Sequence, residues 1–136
     1  MSLYGVTKGT ELEKQIDKLL ELETRAVGLY HGLVRLAKEE GLNDAADAFL
    51  RLAHDEARHA GLFTVLNARV HQDIFAVLGP VAQAESNAVK DIRALAQKAR
   101  NLGLDEAARE IEVVAEDEGR HGQALQELTK IQAVKQ

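Results

Sequence analysis

A shift of 62 residues lays the second half of this chain over the first without a gap. "GLNDAADAF" (41–49) falls on "GLDEAAREI" (103–111), and "DEARH" (55–59) falls on "DEGRH" (117–121). A segment written twice, turn signals included, specifies the same local structure twice. The composition says which structure: Ala, Leu, Glu, Lys and Arg dominate, with one proline and no tryptophan, so strands have little support and helices much. The repeated unit is therefore a helical hairpin, and the fold class is all-α. A length of 136 residues suits one domain spanning 1–136, with residues 1–9 as an N-terminal tail.

Thr10 and Glu13 make a capping-box pattern, and the apolar period after them runs to Gly41, which predicts a first helix over about 11–40. Asn43 is the expected N-cap of a second helix from about Asp44 to about residue 68. A third ends at Asn101–Gly103, and Asp105 caps a fourth that fades near Lys130. Two amphipathic hairpins that bury their stripes against each other give a four-helix bundle with pseudo-twofold symmetry.

The start of the third helix has two readings. Pro80 is a favourable first position and would leave about a dozen linking residues, a reach of about 40 Å. The repeat instead aligns Ile74 and Leu78 with Leu12 and Ile16. Helix 3 would then begin near Asp73 with a kink at Gly79–Pro80, leaving about five residues and about 17 Å. The long connector closes a bundle within one chain, and the short one favours hairpins exchanged between two chains. A homodimer is expected either way.

Glu56 has Phe49, Leu52, Ala53, Ala60 and Phe63 at helical spacing around it, so it points where the apolar residues point. His59, three residues on, shares that face. Glu118 lies in the same way among Ile111, Val114, Ala115, Gly122 and Leu125, followed by His121. Glu23 falls among Ile16, Leu19, Leu20, Ala26, Val27 and Tyr30, and Glu85 among Val81, Ala82, Ala88, Val89 and Ile92. A core with four converging carboxylates is unfavourable, because buried anions lose hydration and repel one another. Two divalent cations carry the four positive charges that cancel them. Carboxylate-rich ligation with one imidazole per metal suits iron or manganese. Without cysteine, closed thiolate zinc sites, disulfides and iron–sulfur clusters are excluded.

One carboxylate from each of two helices, plus Glu-x-x-His from each of the other two, is the di-metal pattern of ferritin-like bundles. Through "ETRAVGLY", "DEARH", "AESNAVKDI" and "DEGRH", the chain resembles the di-iron domain of rubrerythrins over nearly its whole length after residue 10. The resemblance implies two iron ions per four-helix site, manganese being possible. Their carboxylate ligands are Glu23, Glu56, Glu85 and Glu118, and His59 and His121 are their terminal imidazoles. Glu56 and Glu118 take the bridging role. Asp55 and Asp117 are expected to accept the other ring N–H of the opposite histidine, Asp55 from His121 and Asp117 from His59. Glu23 and Tyr30 match the family's Glu-x6-Tyr, which makes Tyr30 a candidate to hydrogen-bond a ligand glutamate.

Two positions depart from the family pattern. Ala88 stands where many rubrerythrins place a glutamate that exchanges with a histidine on redox change, so no exchange is expected. Ile92 stands where a second tyrosine would fall. A rubredoxin domain is not expected, since these 136 residues contain no cysteine, and electrons come from a separate donor such as a rubredoxin or a reductase.

Other residues have plainer readings. Arg58 and Arg120, rotated about 100° from the histidines that follow them, read as structural partners for acids on neighbouring helices. His31, His54 and His71 read as surface residues, and Phe49, Phe63 and Phe75 as packing. A net charge of -5 with no dominant basic cluster argues against nucleic acid and anionic membranes. No apolar run approaches the roughly 20 residues of a membrane span, and the default location is the cytoplasm. The first functional expectation is a non-haem di-iron oxidoreductase that reduces hydrogen peroxide in oxidative-stress defence. The second is a ferroxidase or iron-handling protein using dioxygen, favoured by Ala88 and the symmetric ligand set. The third is a helical interaction module with structural metals.

Overall fold

The computed structural model describes the backbone of residues 2–135 and the side chains of residues 2–131. It contains four α-helices, α1 (Glu13–Glu39), α2 (Asn43–Leu66), α3 (Ile74–Asn101) and α4 (Asp105–Lys135). No strand occurs among the described residues. α1 packs against α2 and α3 against α4. The chain divides into two compact units, the first ending at Gln72 and the second beginning at Asp73.

Each hairpin is zipped by alanine. All but one of the buried apolar positions recur at the repeat distance: Ala37 with Ala99, Ala46 with Ala108, Ala53 with Ala115, and Val34 with Ala96, while Ala82 falls opposite half-buried Leu20. Methyl-sized side chains let two helix axes approach closely along the whole seam. They leave the larger residues, Phe49 and Phe63 in the first unit and Ile111 and Leu125 in the second, half-buried beside it.

The hairpin turns repeat as well. Gly41 and Gly103 adopt φ of 73° and 77°, the left-handed conformation that ends a helix at little cost only for glycine. The following N–H groups close a Schellman motif in both copies: Leu42 donates to the Ala37 carbonyl at 2.8 Å, and Leu104 to the Ala99 carbonyl at 2.9 Å. The expected N-caps shift by a residue or more. Asn43 and Asp105 are the first helical residues rather than the caps, and Leu42 caps α2 without a side-chain bond. The Thr10–Glu13 box is displaced too: Glu13 reaches back to the Gly9 N–H at 2.8 Å, and the Thr10 hydroxyl accepts from Leu12 N–H.

α3 starts where the repeat places it. The Asp73 carboxylate accepts from the Phe75 N–H at 3.0 Å and caps the helix, and Pro80 lies inside it. Pro80 has no N–H to donate, so the Ala76 carbonyl one turn earlier lacks its usual partner. α2 ends at Leu66, two residues earlier than the sequence suggests, and α4 runs on to Lys135.

The first unit has a polar staple with no counterpart in the repeat. Residues 4–9 lie against the end of α2, with Gly5 N–H donating to the Val65 carbonyl at 2.9 Å and Thr7 N–H to the Leu66 carbonyl at 3.1 Å. Asn67 is fully buried; its amide donates to the Glu13 carbonyl and to Asp17, and its carbonyl oxygen accepts from the Thr7 hydroxyl. Arg69 pairs with Asp17 at 2.6 Å and with Glu13 at 2.8 Å. These bonds tie the N-terminal segment, the start of α1 and the exit of α2 into one knot.

Two outcomes follow from the packing and the knot. Ala53→Leu, which forces a larger side chain into the closed seam, should destabilise the protein by about 1–3 kcal/mol in urea denaturation. Hydrogen bonds from Arg69 and then Asn67 hold the Asp17 carboxyl down at about 2. Its folded value lies below its unfolded one, so its contribution is complete at neutral pH and fades as pH falls from about 4 through 2. Asp17→Asn should flatten stability against pH in that window, as read by thermal unfolding.

Candidate metal centre

Helical spacing along α1 puts Ile16, Leu19, Leu20, Glu23, Ala26, Val27 and Tyr30 on one half-buried stripe. On α2, Glu56 stands one turn beyond buried Ala53, and His59 lies three residues further. The alanine seam brings these stripes together. The His59 Nδ1 lies 3.5 Å from the Glu23 Oε2 and 3.7 Å from the Glu56 Oε2. In the second unit the His121 Nδ1 lies 3.4 Å from the Glu85 Oε2 and 4.0 Å from the Glu118 Oε2. Among the described residues, Glu23–Glu56–His59 and Glu85–Glu118–His121 are the groups able to hold a metal, each offering ligand atoms within 4.8 Å of one another.

The chemistry of both triads fits a divalent cation. The Oε2 atoms of Glu23 and Glu85 are buried and have no hydrogen-bond partner. A buried carboxylate oxygen without a donor is unfavourable unless a cation meets it. Two carboxylates and a neutral imidazole give each triad a charge of about -2, which one divalent ion balances, and the O/N donor set suits iron or manganese. In the second triad, the hydrogen bond shared with Glu85, together with burial, pushes the Glu118 carboxyl up.

Helix approach at the second triad is tighter than the ligand pattern alone would suggest. A Cβ on Gly122 would come within 2.6 Å of the Ser86 Oγ and 3.4 Å of the Ala82 carbonyl oxygen. Gly122 follows His121 and Ser86 follows Glu85, so this contact fixes α4 against α3 beside the ligands. The corresponding residues of the first unit are Ala60 and Thr24. The sequence carried one sign of it, glycine after histidine in "GRHG" where the first copy has "ARHA".

The remaining candidates are placed as follows. Tyr30 is half-buried on the Glu23 stripe. Asp55 pairs with Arg58 at 3.3 Å and Asp117 with Arg120, one helical turn apart. The arginines thus meet acids of their own helix rather than of a neighbouring one. Ala88 is half-buried, with only a methyl group where an exchanging glutamate would stand.

No helix among the described residues is long and apolar enough to cross a membrane. The Rubrerythrin family model matches residues 16–81, a span that includes the first triad. The chain is 32% identical over 127 residues to reverse rubrerythrin-1 of Clostridium acetobutylicum, covering 91% of this chain and 70% of that protein. It is 38% identical over 121 residues to the uncharacterized protein MJ0746 of Methanocaldococcus jannaschii, covering 89% of this chain and 86% of that protein. No solved structure matches it. With the triads and these similarities together, the chain belongs to the rubrerythrin family of ferritin-like proteins, and its function is of the di-iron oxidoreductase type.

Proposed function

We propose that this protein reduces hydrogen peroxide to water at a di-iron centre, using electrons from a separate donor such as a rubredoxin or a reductase. The observation that carries this reading is the repeated Glu/Glu/His triad, each copy with one buried carboxylate oxygen that no hydrogen bond satisfies. Glu23, Glu56 and His59 would hold one ion, and Glu85, Glu118 and His121 the other, with Glu56 and Glu118 in the bridging role. When bound, a ferrous pair supplies two electrons to one O–O bond, and two protons complete the conversion of peroxide to two waters.

The chain's own residues set the conditions for that chemistry. The half-buried stripe around Glu23, with Ile16, Leu20 and Val27, limits water around the carboxylates and strengthens their hold on a cation. Tyr30 is the phenol on that stripe, and we assign its hydroxyl a hydrogen bond to a ligand glutamate. Asp55 and Asp117 are assigned to orient the imidazoles, Asp55 through His121 and Asp117 through His59. The reading places the protein in the cytoplasm, with soluble reductants.

A ferroxidase reading, with dioxygen as oxidant and ferrous iron as substrate, has Ala88 in its favour. The two triads are identical in composition, and nothing at position 88 exchanges for a histidine.

Protein as isolated, or titrated anaerobically with ferrous iron, should bind two ions per pair of triads, and Glu56→Ala or His121→Ala should abolish tight uptake. Asp55→Ala should weaken metal affinity or activity by roughly 10–100-fold. Reduced protein mixed with peroxide should oxidise much faster than the same protein mixed with oxygen. Faster oxidation by oxygen, with continued turnover of added ferrous iron, would move the assignment to ferroxidase.

A further inference from the structure

We propose that Gly122 is a positioning residue for the second triad: the room left by its missing side chain sets how tightly Glu85, Glu118 and His121 hold an ion. The inference rests on the di-metal reading above and distinguishes its two ions.

The space at Gly122 is already full. A methyl group there would stand 2.6 Å from the Ser86 Oγ, well inside van der Waals contact, and 3.4 and 3.6 Å from the Ala82 carbonyl oxygen and the Ser86 nitrogen. The last two are backbone atoms of α3 at ordinary contact distance, so the methyl cannot escape the hydroxyl by moving toward α3. Either Ser86 turns its hydroxyl or the two helices part. Among the other glycines inside helices, Gly28, Gly32, Gly61 and Gly79 have open space at the same point, and Gly119 has a Val89 methyl at 3.9 Å. Glycine weakens a helix interior relative to alanine, and Gly122 is the helical glycine whose room the packing uses.

Its place in the chain ties that room to the ligands. Gly122 follows His121 and Ser86 follows Glu85, and the His121 Nδ1 lies 3.4 Å from the Glu85 Oε2. Metal–ligand distances tolerate only about 0.2 Å. A small separation of α3 and α4 at this point therefore falls directly on the pair that must close on the ion.

The two hairpins hold their open ends differently. In the first, the Asn67 amide donates to Asp17 at 2.9 Å and Arg69 pairs with Asp17 at 2.6 Å, which clamps α1 to the end of α2 beyond the triad. One repeat on, Asp17, Asn67 and Arg69 become Gly79, Thr129 and Ile131. Gly79 and Thr129, with Ala82 and Gln126, line an open cavity between α3 and α4, and the Thr129 hydroxyl donates to the Leu125 carbonyl of its own helix. The counterparts of Gly122 and Ser86 in the first copy are Ala60 and Thr24, and the Thr24 hydroxyl is bonded to the Leu20 carbonyl of its own helix at 2.8 Å. Polar bonds beyond its ligands brace the first triad, and a glycine beside its ligands braces the second.

Anaerobic titration with ferrous iron tests this on the full chain, stripped of metal beforehand and checked for helical content by circular dichroism. Wild-type protein should bind two ions per pair of triads. Gly122→Ala should keep one at wild-type affinity and bind the other at least roughly tenfold more weakly. Ser86→Ala added to Gly122→Ala removes the overlapping oxygen and should restore the second ion. A Gly122→Ala variant that binds both ions as wild type does overturns the inference. A loss shared equally by both ions overturns it too, as does a loss that Ser86→Ala fails to relieve, since either points to general damage to the fold. If Gly122→Ala alone does not fold, the double variant decides: two tightly bound ions support the inference, and fewer overturn it. Wild type that binds two ions while the variants fail these tests leaves the di-metal reading standing. Wild type that takes up no iron overturns that reading, and the inference falls with it.

Discussion

The carboxylates on the apolar stripes are the constraint to which the rest of this molecule answers. Glu23 and Glu85 each bury an oxygen without a donor. Leaving such an anion in a half-apolar setting is costly, and a second carboxylate beside it adds repulsion; at Glu118 the hydrogen bond shared with Glu85, then burial, push the carboxyl up. A sequence selected only for stability would place leucine or alanine there, as it does at neighbouring turns of the same stripes. Twice keeping two acids and a histidine where packing favours neither makes sense when a cation supplies the missing charge. The alanine seam serves the same end, since only small side chains let Glu23 approach His59, and Glu85 approach His121, across two helices.

Much of this was legible because the chain states it twice. Periodicity around Glu56 and Glu118 gave the ligand faces, and the 62-residue register extended them to Glu23 and Glu85. The same register placed the start of α3 at Ile74 against the pull of Pro80, a favourable first-turn residue that here lies inside the helix. Caps were less legible. Thr10, Asn43 and Asp105 are all good capping types, yet the helices begin a residue or more away, because backbone geometry at Leu12 and Leu42 closes the first turn without a side chain. The arginines were misjudged for a related reason. An i,i+3 acid on the same helix was available to Arg58 and Arg120, and a local partner forms at less entropic cost than one across a helix pair.

What the repeat does not contain is as informative as what it does. Asn67, Arg69 and Asp17 correspond to Thr129, Ile131 and Gly79 one repeat on, so no pattern search could pair them. Their network depends on residues 50 and 52 positions apart meeting at one end of the first hairpin. A buried asparagine whose amide and carbonyl are both satisfied fixes geometry well, since any other arrangement leaves polar atoms stranded.

Positions kept in both copies, the seam alanines, the turn glycines and the triads, are those any hairpin needs to fold and to hold a cation. The polar staple, which diverges, lies where the first hairpin passes into residues 67–73. Asn67 and Arg69 fasten that exit to Asp17 at the start of α1. The ligands define the chemistry, and the unrepeated knot fixes one end of the first hairpin around them.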